Sequence, residues 1–377
     1  MINTNQNDTQ WAQALWPKMA VKMKAQAARI GAEVPYTLVN GRREDMLAKD
    51  LYWWTNGFWP GMLWLMYSET RDDNYRLAAE KIEDRFDEAL AGYEGLHHDV
   101  GFMWTLTSRL SYKLTGSRKS RTRALHAANL LAGRYNPRGR FIPAWNENRP
   151  GWIIIDCLMN LPLLYWASRE IDDPRYKYVA MEHANTALKY LLRSDGSCAH
   201  IGILDPHTGE LLETPAGQGY AAGSAWSRGQ SWGLYGFALS YVHTGEERFL
   251  EASLQIARWV LSALSRTNFV PPIDYHAPGE PRKIDTSAGM IAAAGLLTLA
   301  GLEKNSEREF CVEGAMNILK ALEAGHVDWD PENDFLVKDG SAQYHGRPEE
   351  IHIPLIYGDY YFLESMIRLK QSDLEIW

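Results

Sequence analysis

The most constraining feature of the sequence is a phrase that recurs along most of its length. In each copy a helix-like segment ends in a short polar turn, followed by an aromatic residue and a segment rich in Ala and Leu. Apolar residues three or four positions apart are typical of helices that bury one face. Gly or Asn near the turn and acidic residues after it predict two antiparallel helices joined tightly. The copies begin at Ser68, Lys113, Ser168, Val242 and Leu302.

The number and spacing of these hairpins predict a closed barrel. The copies lie roughly 45 to 75 residues apart, which suits one helical pair with a variable return segment. A pair over 10–29 and 58–67, with a last helix over 357–369, brings the total to about six pairs. An open solenoid should end in a polar repeat, but the last segment, YGDYYFLESMIRL, is apolar and aromatic. We therefore predict an all-α (α/α)6 barrel forming one catalytic domain over residues 1–377, with about the first ten residues flexible.

Composition and charge exclude several classes of function. The formal net charge is -8, whereas nucleic-acid binding requires a basic face. The longest apolar stretch, 151–166, is too short to span a membrane and contains Asp156. Three cysteines without metal-ligand spacing favour a reducing compartment, and the N-terminus shows no secretory signal. We expect a cytoplasmic protein that binds neither nucleic acid nor membrane, as a monomer or small homo-oligomer.

The phase of the repeat predicts which residues meet at one mouth of the barrel. The helix before each tight turn should be the inner one, so the inner helices begin at the end opposite these turns. Those beginnings lie near Phe58, Asp99, Asp156, Arg228 and Asp285. Helix N-termini favour anions, and tryptophans near loops are candidates for stacking against sugars. Carboxylates, an arginine and aromatic rings together indicate a pocket for an acidic sugar.

Asp156 is the most unusual residue at this mouth. It lies in the most apolar stretch of the chain, GWIIIDCLMNLPLLYW (151–166). An ionised carboxylate in such surroundings is costly, and burial raises the pKa of a carboxyl group toward the range useful for proton transfer. We therefore interpret Asp156 as functional rather than as a helix cap.

Plainer interpretations stay open for its neighbours at the mouth. Asp99 and Asp285 are good N-cap residues, and capping alone would account for either. Arg228 could pair with a structural acid. Trp232 and Tyr235 lie one turn apart and could belong to the core.

The sequence gives little support for a metal or a cofactor. The pair His97–His98 is the candidate for a metal site, but adjacent side chains should point apart and no third ligand follows at a usual spacing. Motifs of serine nucleophiles, zinc proteases and nucleotide-binding loops are absent from the sequence. We predict no metal and no cofactor.

Six separated stretches carry a resemblance that covers nearly the whole chain, from Trp54 to Leu369. In order they are WTNGFWPGMLWL, HHDVGFMWTL, PAWNENRPGWIIIDCLMNLPLLYWA, SAWSRGQSWGLYGFAL, DTSAGMIAAAGLL and YGDYYFLESMIRL. Together they resemble the unsaturated glucuronyl hydrolases of glycoside hydrolase family 88. A set of this kind is far more specific than any single motif.

The resemblance implies an (α/α)6 barrel and an enzyme acting on unsaturated uronic-acid oligosaccharides left by polysaccharide lyases. The C4=C5 enol ether of a terminal 4,5-unsaturated glucuronic acid is hydrated, and the hemiketal rearranges, opening the ring and expelling the remaining saccharide. The resemblance makes Asp156 the general acid and base and Asp99 its assistant. Residues matching the sugar subsite are Trp54, His98, Trp145, His200, Gln218, Trp226, Arg228 and Trp232, to which we add His345 of the late loop.

Two departures from the family pattern bear on specificity. Gly217 stands where many members have a histidine, so one polar contact is lost or supplied elsewhere. The loop YHGRPEEIH (344–352) lacks the Ser/Lys pattern of members that bind sulfate, and it offers Arg347 beside Glu349 and Glu350. We therefore expect weak recognition of sulfated saccharides.

Three other functions remain as alternatives. An unsaturated rhamnogalacturonyl hydrolase shares the fold and the reaction, although HHDVGF and WIIIDCLMN lean toward the glucuronyl group. A sugar epimerase or isomerase on a similar barrel would rely on histidines rather than on two aspartates. A non-catalytic glycan-binding barrel would leave a buried Asp156 without a purpose.

Overall fold

The computed structural model describes residues 6–146, 148–280, 282–302, 304–370 and 374–377. We expected about the first ten residues to be flexible. Residues 1–5 of that segment lie outside the described residues. Residues 6–10 are the first turns of helix α1 (Gln6–Ile30). The short helix α2 (Met46–Lys49) follows it before the repeating hairpins begin.

Within these described ranges, six helical layers form a closed inner ring, in which each layer contacts the next and the last contacts the first. In chain order they are α3 (Phe58–Thr70), α5 with α6 (Val100–Trp104, Leu110–Thr115), α8 (Pro162–Glu170), α10 (Ser227–Thr244), α12 (Thr286–Ala300) and α14 (Ile356–Leu369). A π-helical turn, Thr105–Arg109, joins α5 to α6. Every residue of α12 is buried, as expected for a helix enclosed on all sides.

Each inner layer packs against an outer helix of its own, and α7 and α9 also contact the inner layer that follows. The outer helices are α1, α4 (Asp73–Gly92), α7 (Arg118–Gly133), α9 (Pro174–Tyr190), α11 (Glu247–Leu264) and α13 (Arg308–His326). The predicted (α/α)6 barrel and its assignment of inner and outer helices are therefore confirmed. The expected pair over 10–29 and 58–67 is wrong, because α1 packs on α14 and α3 packs on α4. Within the described residues, no helix has both the length and the apolar character needed to cross a bilayer.

The tight turns contain the glycine and polar cap residues that predicted them. Helix α6 ends at Gly116 with a φ of 74°, and Ser117 begins α7 by accepting a hydrogen bond from Ser120 N. Asp173 caps α9 in the same way, with Pro174 as the first helical residue. Left-handed glycines and short polar caps satisfy the free backbone groups at helix ends.

A small sheet lies at the mouth, where the sequence had predicted the start of a helix. Trp152–Ile154 forms strand β3, which pairs antiparallel with β4 (Ile201–Leu204), and β4 pairs with β5 (Leu211–Glu213). A separate hairpin joins β1 (Leu38–Val39) to β2 (Arg42–Arg43). The inner helix predicted to begin near Asp156 begins instead at Pro162, after a 3-10 turn over Ile155–Met159. A short apolar run rich in β-branched residues fits a buried strand as well as a helix.

The end of the barrel opposite the mouth is filled by the last described residues. Trp377 is buried, its ring lies parallel to that of Tyr361, and its Nε1 donates to Glu364 Oε2 over 2.9 Å. The buried Arg109 donates to the carbonyls of Glu375 and Ile376, both over 2.8 Å. The interior is therefore packed below the mouth.

Candidate active site

A cavity of about 540 Å³ opens at the mouth, where the inner layers begin. Eight of the eleven predicted site residues line it, and they lie at the beginnings of four of the inner layers: α3, α5, α8 and α10. They are Trp54, His98, Asp99, Trp145, Asp156, Gln218, Trp226 and Arg228. The geometric prediction made from the phase of the repeat is confirmed for Asp99, Asp156 and Arg228, whereas Phe58 and Asp285 are not among the described residues that line the cavity.

Asp156 lies in the 3-10 turn between strand β3 and helix α8. Its neighbours Ile155 and Cys157 are fully buried, whereas its own side chain is 15% exposed, toward the cavity that it lines. Its Oδ1 atom is buried without a hydrogen-bond partner among the described residues. Desolvation raises the pKa of Asp156 well above its usual value, the nearby Asp99 raises it further, and Arg228 opposes them.

Asp99 occupies the N-cap position of α5 but makes no capping hydrogen bond with its side chain. Instead its Oδ1 accepts from Asn160 Nδ2 over 3.2 Å. Its Oδ2 lies 3.4 Å from His97 Nδ1 and 3.3 Å from His98 Nε2. Burial raises the pKa of Asp99 to about 7, although the bond from Asn160 and the charge of Arg134 lower it. Capping is therefore not what this carboxyl group does.

The two adjacent histidines do not point apart, so that expectation was wrong. Their rings stack, with centroids 5.4 Å apart, and both approach Asp99. The residues form a turn before α5, where the alternation of side chains along a strand does not apply. The donor atoms of all three residues lie within 4.8 Å of one another, close enough to share a metal ion. The absence of a metal stays a prediction.

Arg228 pairs with a structural acid, as one interpretation had it. Its guanidinium is 2.5 Å from Asp285 Oδ2 and also donates to the carbonyls of Ser341 and Ala342, both over 2.6 Å. Asp285 is buried and caps α12 by accepting from Ser287 N. The cation therefore ties α10 to α12 and to the late loop while lining the cavity.

His200 lies under the cavity wall rather than in it. Its ring packs on Trp226 at 4.2 Å, and its Nδ1 accepts from Gln218 N over 3.0 Å. Burial lowers the pKa of His200 to about 3. A neutral ring whose Nδ1 accepts carries its proton on Nε2, and that atom is 3.8 Å from Asp156 Oδ1.

The position of the His200 ring explains why residue 217 is a glycine. Its φ is +59°, a conformation that favours glycine, and an added Cβ would overlap His200 Nδ1. A histidine at position 217 therefore has no room while His200 holds this place.

Two predicted sugar-binding residues lie elsewhere. Trp232 is fully buried and packs on Phe102 and Tyr361, which is the core role left open for it. His345 is exposed, with Nε2 bound to Tyr220 O over 2.8 Å. Neither residue is among the described residues that line the cavity, so their positions do not support direct contact with a sugar there.

The prediction missed part of the site. Asp50, Tyr52, Trp53, Gly95 and His97 also line the cavity. A second cavity of about 820 Å³ shares Trp53, Trp54, Gln218 and Arg228 with the first and continues between the β1–β2 hairpin and residues 342–350. These segments lie outside the repeating hairpins, so the phase of the repeat gave no signal for them.

Comparison with known proteins agrees with this geometry. The profile of Glycosyl Hydrolase Family 88 matches residues 27–252. The chain is 35% identical to an unsaturated glucuronyl hydrolase of Bacillus sp. (strain GL1), over 97% of this chain and 98% of that protein. It is 33% identical to an unsaturated chondroitin disaccharide hydrolase of Streptococcus pyogenes serotype M1, over 86% and 83%.

Solved structures give the same result. The crystal structure of the unsaturated glucuronyl hydrolase of Bacillus sp. GL1 has a TM-score of 0.87 at 35% identity, covering 93% of this chain and 95% of that one. An unsaturated glucuronyl hydrolase specific for heparin has a TM-score of 0.85 at 30% identity, covering 95% and 99%. By sequence and by fold, the chain belongs to glycosyl hydrolase family 88.

Proposed function

We propose that the protein hydrates the C4=C5 double bond of a 4,5-unsaturated glucuronic acid at the non-reducing end of an oligosaccharide. The observation that carries this proposal is Asp156, a carboxyl group of raised pKa that lines a partly aromatic cavity beside Asp99. The relatives named above are hydrolases of unsaturated glucuronyl and unsaturated chondroitin saccharides, which favours glucuronic acid over a pectin fragment or an isomerase substrate.

Asp156 supplies the proton that starts the reaction. The carboxylic acid protonates C4 of the enol ether, and positive charge develops at C5 and the ring oxygen. This requires an acid that keeps its proton near neutral pH, and the desolvation of Asp156 provides one. The carboxylate formed then takes a proton from the water molecule that adds to C5, so Asp156 returns to its starting state.

The released saccharide leaves without displacement at the anomeric carbon. The hemiketal at C5 opens to a ketone, which leaves a hemiacetal at C1, and the hemiacetal expels the remaining saccharide. The usual rule relating the carboxylate separation to retention or inversion therefore does not apply.

The cavity walls suit the flat unsaturated ring and its carboxylate. Trp54, Trp145 and Trp226 offer aromatic surface. Arg228 and Gln218 border both cavities, and we assign them to the uronate carboxylate. The charge of Arg228 is balanced by Asp285, so this contact orients the sugar more than it attracts it.

The second cavity, on this proposal, receives unsulfated sugars. Arg347 pairs with Glu350 over 2.9 Å and Lys49 pairs with Glu44 over 2.8 Å. Glu349 adds a further negative charge to the lining. Every cation among the described residues of this lining faces an acid, so a sulfate group meets no uncompensated positive charge.

The test uses an unsaturated disaccharide prepared with a lyase, and follows the ultraviolet absorbance of its conjugated alkene. We expect the wild-type protein to abolish the absorbance and release the free sugar, and Asp156→Asn to slow both by a factor of at least about 100. Asp50→Asn is the matched control, because Asp50 lines the same cavity but bonds Tyr52 N of its own loop. Its rate should stay within about tenfold of wild type. Full activity in Asp156→Asn would refute the proposal.

Location and assembly remain proposals from the sequence. We infer a cytoplasmic protein, which the three buried, unpaired cysteines support. We also infer a monomer or small homo-oligomer. Cell fractionation and light scattering test the two inferences, and a secreted protein or a large assembly would contradict them.

A further inference from the structure

Asn160 connects the two segments that carry the candidate carboxyl groups. It ends the 3-10 turn that contains Asp156, and it is fully buried. Its Oδ1 accepts from Phe102 N in the first turn of α5, over 2.6 Å. Because a backbone N–H can only donate, this bond fixes the orientation of the amide. The Nδ2 must then face Asp99 Oδ1, at 3.2 Å.

The backbone of α5 lies close against Asn160. A Cβ at Gly101 would overlap the main chain and the Cβ of Asn160, so the first turn of α5 lies directly against this residue. The Nδ2 also lies 3.5 Å from the carbonyl oxygen of Asp156. One amide therefore sets the position of Asp99 relative to the turn that holds Asp156.

We propose that Asn160 is a positioning residue that decides which of the two carboxyl groups keeps the proton, by donating to Asp99 and leaving Asp156 without such a donor. The inference rests on the proposed function. Two carboxylates that share a desolvated cavity cannot both ionise cheaply, and a hydrogen bond to one of them favours its charged form. Asp99 is then the anion and Asp156 the acid that protonates C4.

The environments of the two groups agree with this division. Burial raises the pKa of both, but the bond from Asn160 lowers that of Asp99, whereas the charge of Asp99 raises that of Asp156 further. The Oδ1 of Asp156 is buried without a hydrogen-bond partner among the described residues. The other titratable or charged groups around the pair are His97, His98, Arg134, Cys157, His200 and Arg228.

The test is the pH dependence of kcat/KM in Asn160→Leu, which removes the donor at similar volume. The active form has Asp99 ionised and Asp156 protonated, so Asp99 sets the acidic limb and Asp156 the alkaline limb. Without the donor, Asp99 holds its proton more tightly and places less charge beside Asp156. We expect the acidic limb to move to higher pH and the alkaline limb to lower pH, with kcat reduced by about tenfold. KM should stay within about twofold, because Asn160 does not line the cavity.

A purely structural role would give another result. Asn305→Leu is the matched control, since Asn305 is also buried and its Nδ2 donates to Leu299 O, between α12 and α13. It should lower the melting temperature without moving either limb. The proposal would be overturned if both limbs of the pH profile of Asn160→Leu coincided with those of wild type. If Asn160→Leu does not fold, Asn160→Asp keeps an oxygen that accepts from Phe102 N and replaces the donor that faces Asp99. Its acidic limb should lie at higher pH than that of wild type, and an unchanged limb would overturn the proposal.

A measurement that needs no turnover separates this inference from the proposed function. The carboxyl carbon of Asp99 can be titrated by 13C NMR in wild type and in Asn160→Leu. A higher pKa of Asp99 in the variant supports the positioning role even if the protein fails to consume the disaccharide. An unchanged pKa overturns it even if the enzyme is active.

Discussion

At the scale of single residues, surroundings decide what an aspartate does in this barrel. Asp285 is buried but paired with Arg228 and bound to backbone N–H groups, so it serves the structure. Asp99 is bound by an amide, and Asp156 has a buried oxygen with no hydrogen-bond partner in the part of the chain that the structure describes. The sequence indicated Asp156 because its apolar flanks are visible in the chain, whereas the amide that faces Asp99 comes from a residue 61 positions away.

The raised pKa of Asp156 predicts a cost in stability. The folded protein keeps this proton to a higher pH than the unfolded chain, so between the two pKa values the folded state binds more protons and stability falls as pH rises. Asp156→Asn cannot ionise and escapes this cost. We expect its melting temperature to exceed that of wild type by about 2–4 °C at pH 8 and by less at pH 4. Calorimetry at both pH values checks this, and a less stable variant at pH 8 would contradict it.

At the scale of elements, the repeating hairpins could be predicted and the insertions between them could not. The turn signals at Gly116 and Asp173 are local, so the sequence alone shows them. Strand β3 depends on pairing with β4, about fifty residues later, and a short apolar run does not reveal its partner. This sheet nevertheless places Asp156, since Ile155 N donates to His200 O over 3.0 Å directly before it.

Disturbing that sheet should therefore damage catalysis. A Cβ at Gly151 would overlap the carbonyl group of Leu204, whereas a Cβ at Gly133 meets nothing within 4 Å. We expect Gly151→Ala to destabilise the protein by about 1–3 kcal/mol and to lower kcat. Gly133→Ala should change the stability by less than about 1 kcal/mol. Urea unfolding with steady-state kinetics distinguishes them, and equal behaviour of the two variants would show that the sheet does not position Asp156.

At the scale of the whole molecule, charge and shape act together on substrate choice. The net charge of -8 gives no attraction for anionic saccharides, so local cations must supply it, and those of the second cavity are already paired. The closed barrel and its mouth follow from the repeat and were predictable. The second cavity was not, because its walls are loops with no periodic signal.

This charge distribution predicts a preference for unsulfated substrates. We expect kcat/KM for an unsulfated unsaturated disaccharide to exceed that for its sulfated counterpart, with a difference that shrinks at high salt. Glu349→Gln should raise the rate on the sulfated substrate more than on the unsulfated one, because it removes a negative charge of the lining that forms no salt bridge with any described residue. Faster turnover of the sulfated disaccharide by wild type would contradict the prediction.

The order of two events tests the central claim most directly. In a rapid-quench experiment with wild-type protein, the loss of the alkene absorbance and the appearance of free saccharide can be followed in the same samples. Protonation of C4 by Asp156 requires the alkene to disappear before the saccharide is released, or together with it. Free saccharide that appears while the alkene is still intact would mean that the glycosidic bond breaks first, and would contradict the account.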